Sequence, residues 1–188
     1  MIDTQGQLLV APPNMPDWRF QKTVVYIWRH DVSGAAGVII NKKCTHPTFD
    51  HICDEGSIKR IPTIKPPVYY GGPILNNIIG VLHTKDYLLG STNTAKHQQL
   101  AFTLDRKILE SIAQGGGPKQ KIITLGMANW ETGQLEAELD ATPPRTKTMS
   151  WLLLPYDEKV VFGPQTEDLW EMCVSKAVKN KTRELTDK

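Results

Sequence analysis

Apolar residues along this chain gather in short runs broken by proline, glycine and small polar residues, a spacing that suits β-strands. Gln7–Ala11 (QLLVA) reads as a first strand, stopped by Pro12-Pro13 because proline offers no N–H to a ladder. Thr23–Ile27 (TVVYI) and Val38–Asn41 (VIIN) follow, rich in β-branched residues. The stretch between them carries Asp31, Ser33, Gly34 and Gly37, which predicts a hairpin with an extended loop. Its small residues, Gly34 to Gly37, mark a close approach of another backbone or a ligand. Val68–Tyr70 runs into Gly71-Gly72-Pro73, Ile78–His83 is the next strand, and Leu100–Thr103 is short and feeds a helix. Ile122–Met127 (IITLGM) has the pattern of a central strand. Trp151–Leu154 and Lys159–Phe162 read as late strands split by Pro155.

Helical spacing is rarer. His46–Gly56 places Phe49, Ile52 and Cys53 on one face. Asp105 can cap a helix with Ile108, Leu109 and Ile112 inward, closed by Gly115-Gly116-Gly117-Pro118. That glycine run closes a helix, whereas a phosphate loop opens one. Thr132–Leu139 reads as a short helix, and a final helix covers Thr166 to about Lys179. With about seven to nine strands, short connections and few long helices, mixed or antiparallel pairing is expected.

Length and composition narrow the class. At 188 residues, with 40% hydrophobic and 22% charged residues, the chain suits one folded domain. That domain is expected over residues 1–175, with 176–188 as a basic tail whose helix end frays to disorder. Five basic and two acidic residues occupy the tail, leaving 17 basic against 18 acidic before it. A body so near neutrality lacks the basic stripe of a duplex-binding domain, so direct sequence-specific nucleic-acid binding is not expected. The start lacks a basic stretch followed by an apolar run, and no stretch approaches the roughly 20 apolar residues of a membrane span. Three cysteines without metal-type spacing fit a reducing, cytoplasmic compartment. Cys44, His46, His51 and Cys53 are too loosely spaced for a structural zinc site, and no metal or other cofactor is expected.

Several segments in succession carry a resemblance. They are Gln7–Pro12, Phe20–Tyr26, His30 with Gly34–Asn41, Val68–Pro73, Val81–His83, Ile108–Ala113, Gly117-Pro118, Gly126 and Gly133–Glu136. In this order they resemble the AlgH/YqgE family of bacterial proteins, from about Gln7 to Trp170. The resemblance implies a single α/β domain of α+β type. Its sheet would be bifurcated, largely antiparallel and partly closed into a small barrel, with helices around it. Members are often labelled transcriptional regulators because one was linked genetically to alginate production. The sequence departs from the family pattern at Arg29, Asp105, Asn129 and the Pro143-Pro144-Arg145 insertion.

Three sets of residues can carry chemistry. Asn41 and His83 each close an apolar run, and Gly71-Gly72 follows one, so together they suggest a polar recess at strand ends, with the glycines as an anion-binding nest. Their plain structural use is a tight turn and loop hydrogen bonds. Gln134 and Glu138 share a helix face while Glu136 points elsewhere. The Gly-Gln-Leu-Glu match selects Gln134 and Glu136 as candidate ligand-binding residues. Cys44 follows Lys42-Lys43, whose charge favours a reactive thiolate. Lipase-type, phosphate-loop, dinucleotide and zinc-protease motifs are absent, so no catalytic residue is assigned. The reading is a regulatory or adaptor protein that binds a protein or small molecule. The alternatives are a small hydrolase using His83, Glu136 and His30, and a DNA-associated regulator.

Overall fold

A computed structural model describes residues 3–95, 98–140, 150–164 and 168–186. Pro143 to Arg145, the expected helix start at Thr166 and the last two tail residues lie outside them. In chain order the elements are β1 (Leu8–Val10), β2 (Val24–Asp31), β3 (Gly34–Ile39), α1 (Phe49–Glu55), β4 (Val68–Tyr70), β5 (Ile74–Thr84) and β6 (Leu100–Thr103). Then come α2 (Arg106–Ala113), β7 (Lys121–Trp130), α3 (Gln134–Asp140), β8 (Leu152–Leu154), α4 (Glu158–Phe162) and α5 (Leu169–Thr186). This is a mixed α/β domain with an eight-stranded, largely antiparallel sheet. Hydrogen-bonded neighbours follow the order β6-β5-β7-β3-β2-β1-β8, and β4 branches off beside β7 as a parallel partner. The fork implied by the resemblance is therefore at β7. Among the described residues the implied barrel closure is not found: the path is open, with β6 and β8 at its ends.

Backbone proximity groups the chain into two compact parts. One joins the residues up to 37 with those from 129 onward; the other is residues 38–128. In the first, β1 lies antiparallel to both β2 and β8, with Leu8 opposite Tyr26 and Leu154. All three β1 residues are fully buried, as a continuous apolar run requires. Helix α5 lies against β1 and β8, and the Trp170 indole N–H donates to the Ala11 carbonyl at 2.8 Å. In the second, β5 runs antiparallel to both β6 and β7, and a core of Phe49, Ile52, Val81, Ile108, Ile112 and Ile123 packs α1 and α2 on the strands.

Several expectations change. Only Val32-Ser33 separates β2 from β3, because the Asp31 carboxylate accepts the Ser33 N–H at 2.8 Å and makes the turn tight. Lys159–Phe162 belongs to helix α4, not a strand, since Asp157 caps it through the Lys159 N–H at 3.0 Å and Val160 and Val161 are both buried. Strand β5 begins four residues earlier than its apolar run suggests, at Ile74 instead of Ile78, and α5 continues past Lys179 to Thr186.

Candidate functional site

Within residues 38–128 lies a cleft of about 530 Å³, inside the range of roughly 300–1,000 Å³ usual for ligand sites. Its floor is apolar: Ile52, Ile58, Ile79, Leu109 and Leu125. His46, Glu55, Asn76, Asn77 and Arg106 supply polar groups around it. Two caps place the walls. Thr48 caps α1, its hydroxyl 2.6 Å from His51 Nδ1, and the His46 ring packs edge-on against His51 with centroids 4.5 Å apart. Asp105 caps α2 by accepting the Lys107 N–H at 2.9 Å and the Ser91 hydroxyl at 2.8 Å. Arg106 thereby becomes the first residue of α2, and its Nε donates to Glu110 one turn on at 2.8 Å. The floor can take an aliphatic or aromatic body. The amides, imidazole and guanidinium can meet a polar head.

Of the recess expected from Asn41, Gly71, Gly72 and His83, the structure brings Asn41 beside Gly71-Gly72, because Ile39 and Lys42 on either side of it bond to Gly71 and Tyr70, and leaves His83 apart. The Gly71 N–H donates to the Leu125 carbonyl, and its own carbonyl accepts from Ile39, each at 2.8 Å. These groups serve strand pairing instead of an anion nest. A side chain at Gly72 would meet the Met127 carbonyl, and one at Gly126 would meet the Gly72 carbonyl. Asn41 is half-buried just past β3 and close in sequence to Lys42, whose carbonyl accepts the Tyr70 N–H at 2.7 Å. His83 pairs with Lys121, four residues along β7 from Leu125, which is roughly 13 Å at about 3.3 Å per residue. It is fully buried, its Nδ1 2.8 Å from the Thr84 carbonyl and its Nε2 2.9 Å from the Thr103 hydroxyl. The carbonyl can only accept, so Nδ1 carries the proton and Nε2 accepts from Thr103. Burial holds the His83 pKa below the ordinary histidine value. The Cys44 thiol moves the opposite way from the expectation: burial pushes its pKa up.

The other compact part holds a second polar cluster. His30 is buried, its Nδ1 2.8 Å from the Thr4 hydroxyl and its Nε2 3.3 Å from Glu136 Oε1. The Gln134 amide donates to Glu138 Oε1 at 2.9 Å, as the shared helix face predicts. Glu138 Oε2 also accepts the indole N–H groups of Trp130 at 3.0 Å and Trp151 at 2.8 Å. Phe20 packs on both indoles. His30 and Glu136 therefore meet, while His83 lies in residues 38–128. Sequence reasoning named no indole clamp and assigned no ligand role to the cleft residues, reading Ile52 and Leu109 only as core and His46 only against zinc. Among the described residues no three His, Cys, Asp or Glu side chains gather as metal ligands, and no helix is long and apolar enough to cross a membrane.

Comparison with known proteins covers nearly the whole chain. The sequence model of a family described as AlgH-like matches residues 8–181. A UPF0301 protein of Nitrobacter hamburgensis is 35% identical over 179 residues, spanning 91% of this chain and 80% of that one. A UPF0301 protein of Methylococcus capsulatus is 32% identical, with 93% and 92% covered. The solution structure of the AlgH protein from Pseudomonas aeruginosa aligns with a TM-score of 0.73 and 30% identity, covering 91% of this chain and 87% of that one. A crystal structure from Corynebacterium diphtheriae, at 21% identity and a TM-score of 0.64 with 92% and 86% covered, shares the fold.

Proposed function

Because the chain belongs to the AlgH-like family, and the names of its relatives assign no activity, we propose its function from its geometry: a regulatory or adaptor module, not an enzyme, that recognises a partner or small ligand in the cleft of residues 38–128. The observation that carries this reading is the cleft itself, with an apolar floor and polar groups held by two capped helices. The histidines named for acid–base work support it, because each is already engaged: His83 by Thr84 and Thr103, His30 by Thr4. The hydrolase reading gains one specific observation, the order Thr4 hydroxyl, His30 imidazole, Glu136 carboxylate. Thr4 is fully buried, however, which keeps a substrate from its hydroxyl.

A thermal-shift screen against nucleotides, metals and central metabolites tests the proposal, run on the parent chain and on Asn77→Trp, which fills the cleft mouth from an exposed position. A ligand that raises the melting temperature of the parent and loses its effect on the variant is the expected result. Ligands that stabilise both proteins equally would place recognition elsewhere.

A further inference from the structure

The near-neutral charge of the chain is unevenly divided. Residues 38–128 carry eleven basic and six acidic side chains, a net charge of +5, whereas the remainder carries eleven and fourteen. Within this basic part a second cavity, of about 270 Å³, shares no lining residue with the cleft. It lies at the far end of α2, between the glycine loop that follows the helix and the connector from α1 to β4. Two hydrogen bonds hold the connector there. The Ile61 N–H donates to the Ala113 carbonyl at 2.9 Å, and the Gln114 amide donates to the Lys59 carbonyl at 2.6 Å. Ile64, Pro66 and Ile112 give apolar walls, while Thr63, Lys65 and Lys121 give polar groups. Among the described residues no acidic side chain lines it.

Lys121 is half-buried at the start of β7, and its ammonium donates to the Pro118 carbonyl at 2.6 Å. Among the described residues no carboxylate forms an ion pair with it. Asp86, the acidic group that acts on it from a distance, accepts the Thr84 hydroxyl and the Lys119 N–H instead. Desolvation pulls the Lys121 pKa below the ordinary lysine value, as befits a cation short of counter-charge. The C-terminal end of a helix ordinarily repels an anion, because its last carbonyls are free. Here the carbonyls of Glu110, Ser111, Ile112 and Ala113 accept the N–H groups of Gln114, Gly116, Gly115 and Ile61. Lys65 is 3.0 Å from Asp50, but Asp50 also holds Arg60 at 3.3 Å, so Lys65 can turn to a ligand without stranding that carboxylate. We propose that this cavity binds a small phosphate monoester, its phosphate on the Lys65 and Lys121 ammonium groups and its apolar body against Ile64, Pro66 and Ile112. A phosphate carries close to two negative charges at neutral pH, which matches two lysines, whereas a carboxylate carries one. The volume falls below the roughly 300–1,000 Å³ of most ligand sites, which keeps the body small.

The test is a calorimetric titration of the full chain with phenyl phosphate at fixed ionic strength, beside inorganic phosphate and benzoate. Phenyl phosphate should bind with a dissociation constant at or below about 1 mM, and the other two at least about fivefold more weakly. Lys121→Met should weaken phenyl phosphate at least about tenfold. Lys119→Met, which removes an exposed charge nearby, and Asn77→Trp, which fills the cleft, should each leave it within about twofold. On the parent chain, phenyl phosphate should also slow acetylation of Lys121 by acetic anhydride at least about threefold relative to Lys119, read by mass spectrometry. That protection needs no variant, so it tests the site even where Lys121→Met does not fold. No binding, or no protection of Lys121, overturns the site. Equal weakening by Lys119→Met and Lys121→Met assigns the effect to general charge and overturns it too. Benzoate binding as tightly overturns the phosphate, and inorganic phosphate binding as tightly overturns the role of the apolar walls. Loss of binding in Asn77→Trp would move the ligand to the cleft, overturning this inference while leaving the cleft reading in place.

Discussion

Removing the Glu138 carboxylate should cost more than any other single polar deletion in the part formed by the chain ends. It accepts three hydrogen bonds, from Trp130, Trp151 and Gln134, at 2.8 to 3.0 Å. Both tryptophans are at most 6% exposed, so their N–H groups have little access to replacement water. Hydrogen bonds to a charged acceptor are each worth about 1.5–3 kcal/mol, but Glu138 is half-exposed and water will recover part of this. Glu138→Ala should therefore lose about 2–4 kcal/mol. For a chain of this length that corresponds to roughly 5–12 °C in melting temperature. Glu138→Gln keeps an oxygen toward the indoles but turns an N–H toward Gln134, and should lose about 1 kcal/mol. Urea unfolding followed by tryptophan fluorescence and by circular dichroism measures both losses. A cycle with Trp151→Phe isolates the pairwise coupling, expected at about 1 kcal/mol or more. A Glu138→Ala protein within about 0.5 kcal/mol of the parent, by both probes, would refute the indole clamp as a stabilising unit.

Gly126→Ala should lose at least about 3 kcal/mol, because φ is 75° and the new methyl would press on the Gly72 carbonyl; a melt within a few degrees of the parent would contradict this. Asp105→Ala should cost about 1 kcal/mol through the lost α2 cap, read as a shift of the urea midpoint. Burial lowers the His83 pKa in the folded chain below its unfolded value of about 6.5. The unfolded chain then takes up a proton that the native chain refuses, so this contribution is complete above about pH 6.5 and fades as pH falls through the folded value. Urea midpoints of the parent and His83→Gln should accordingly converge or cross below about pH 6.5, and a difference constant from pH 7.5 to 5 would contradict it.

How much of this could be read from the sequence depends on the range of the interaction. Leu8–Val10, Val68–Tyr70 and Leu100–Thr103 are bounded by local breakers, and the structure places strands there. Asp105 announces α2 because a cap acts on its own next turn. Lys159–Phe162 was misread because a buried valine pair has no period; the cap at Asp157 was the overlooked local signal. The glycine-marked recess was read only in part, for another reason. Gly71 and Gly72 are required by Gly126 and Met127, over fifty residues away, and composition does not reveal whether a glycine meets a ligand or another backbone. His83 ended a strand in the sequence, as predicted, but the neighbouring strand covers it. Gln134 and Glu138 were paired correctly because helical spacing is local. Their indole partners and the cleft around Asn76, Asn77 and Arg106 arise only from tertiary assembly.

The discontinuity of the first compact part has a consequence for how the chain leaves the ribosome. Residues 38–128 form an uninterrupted stretch and are complete once residue 128 has emerged. Leu8–Val10 must wait for Leu152–Leu154, and His30 for Glu136. At roughly 5–20 residues per second, synthesis of the remaining chain lasts on the order of several seconds. During that interval the interior stretch can already close around its own core, while the N-terminal segment stays exposed to chaperones and proteases. A stalled nascent chain extended far enough for residue 128 to have cleared the ribosome should yield a protease-resistant fragment that lacks its first 37 residues.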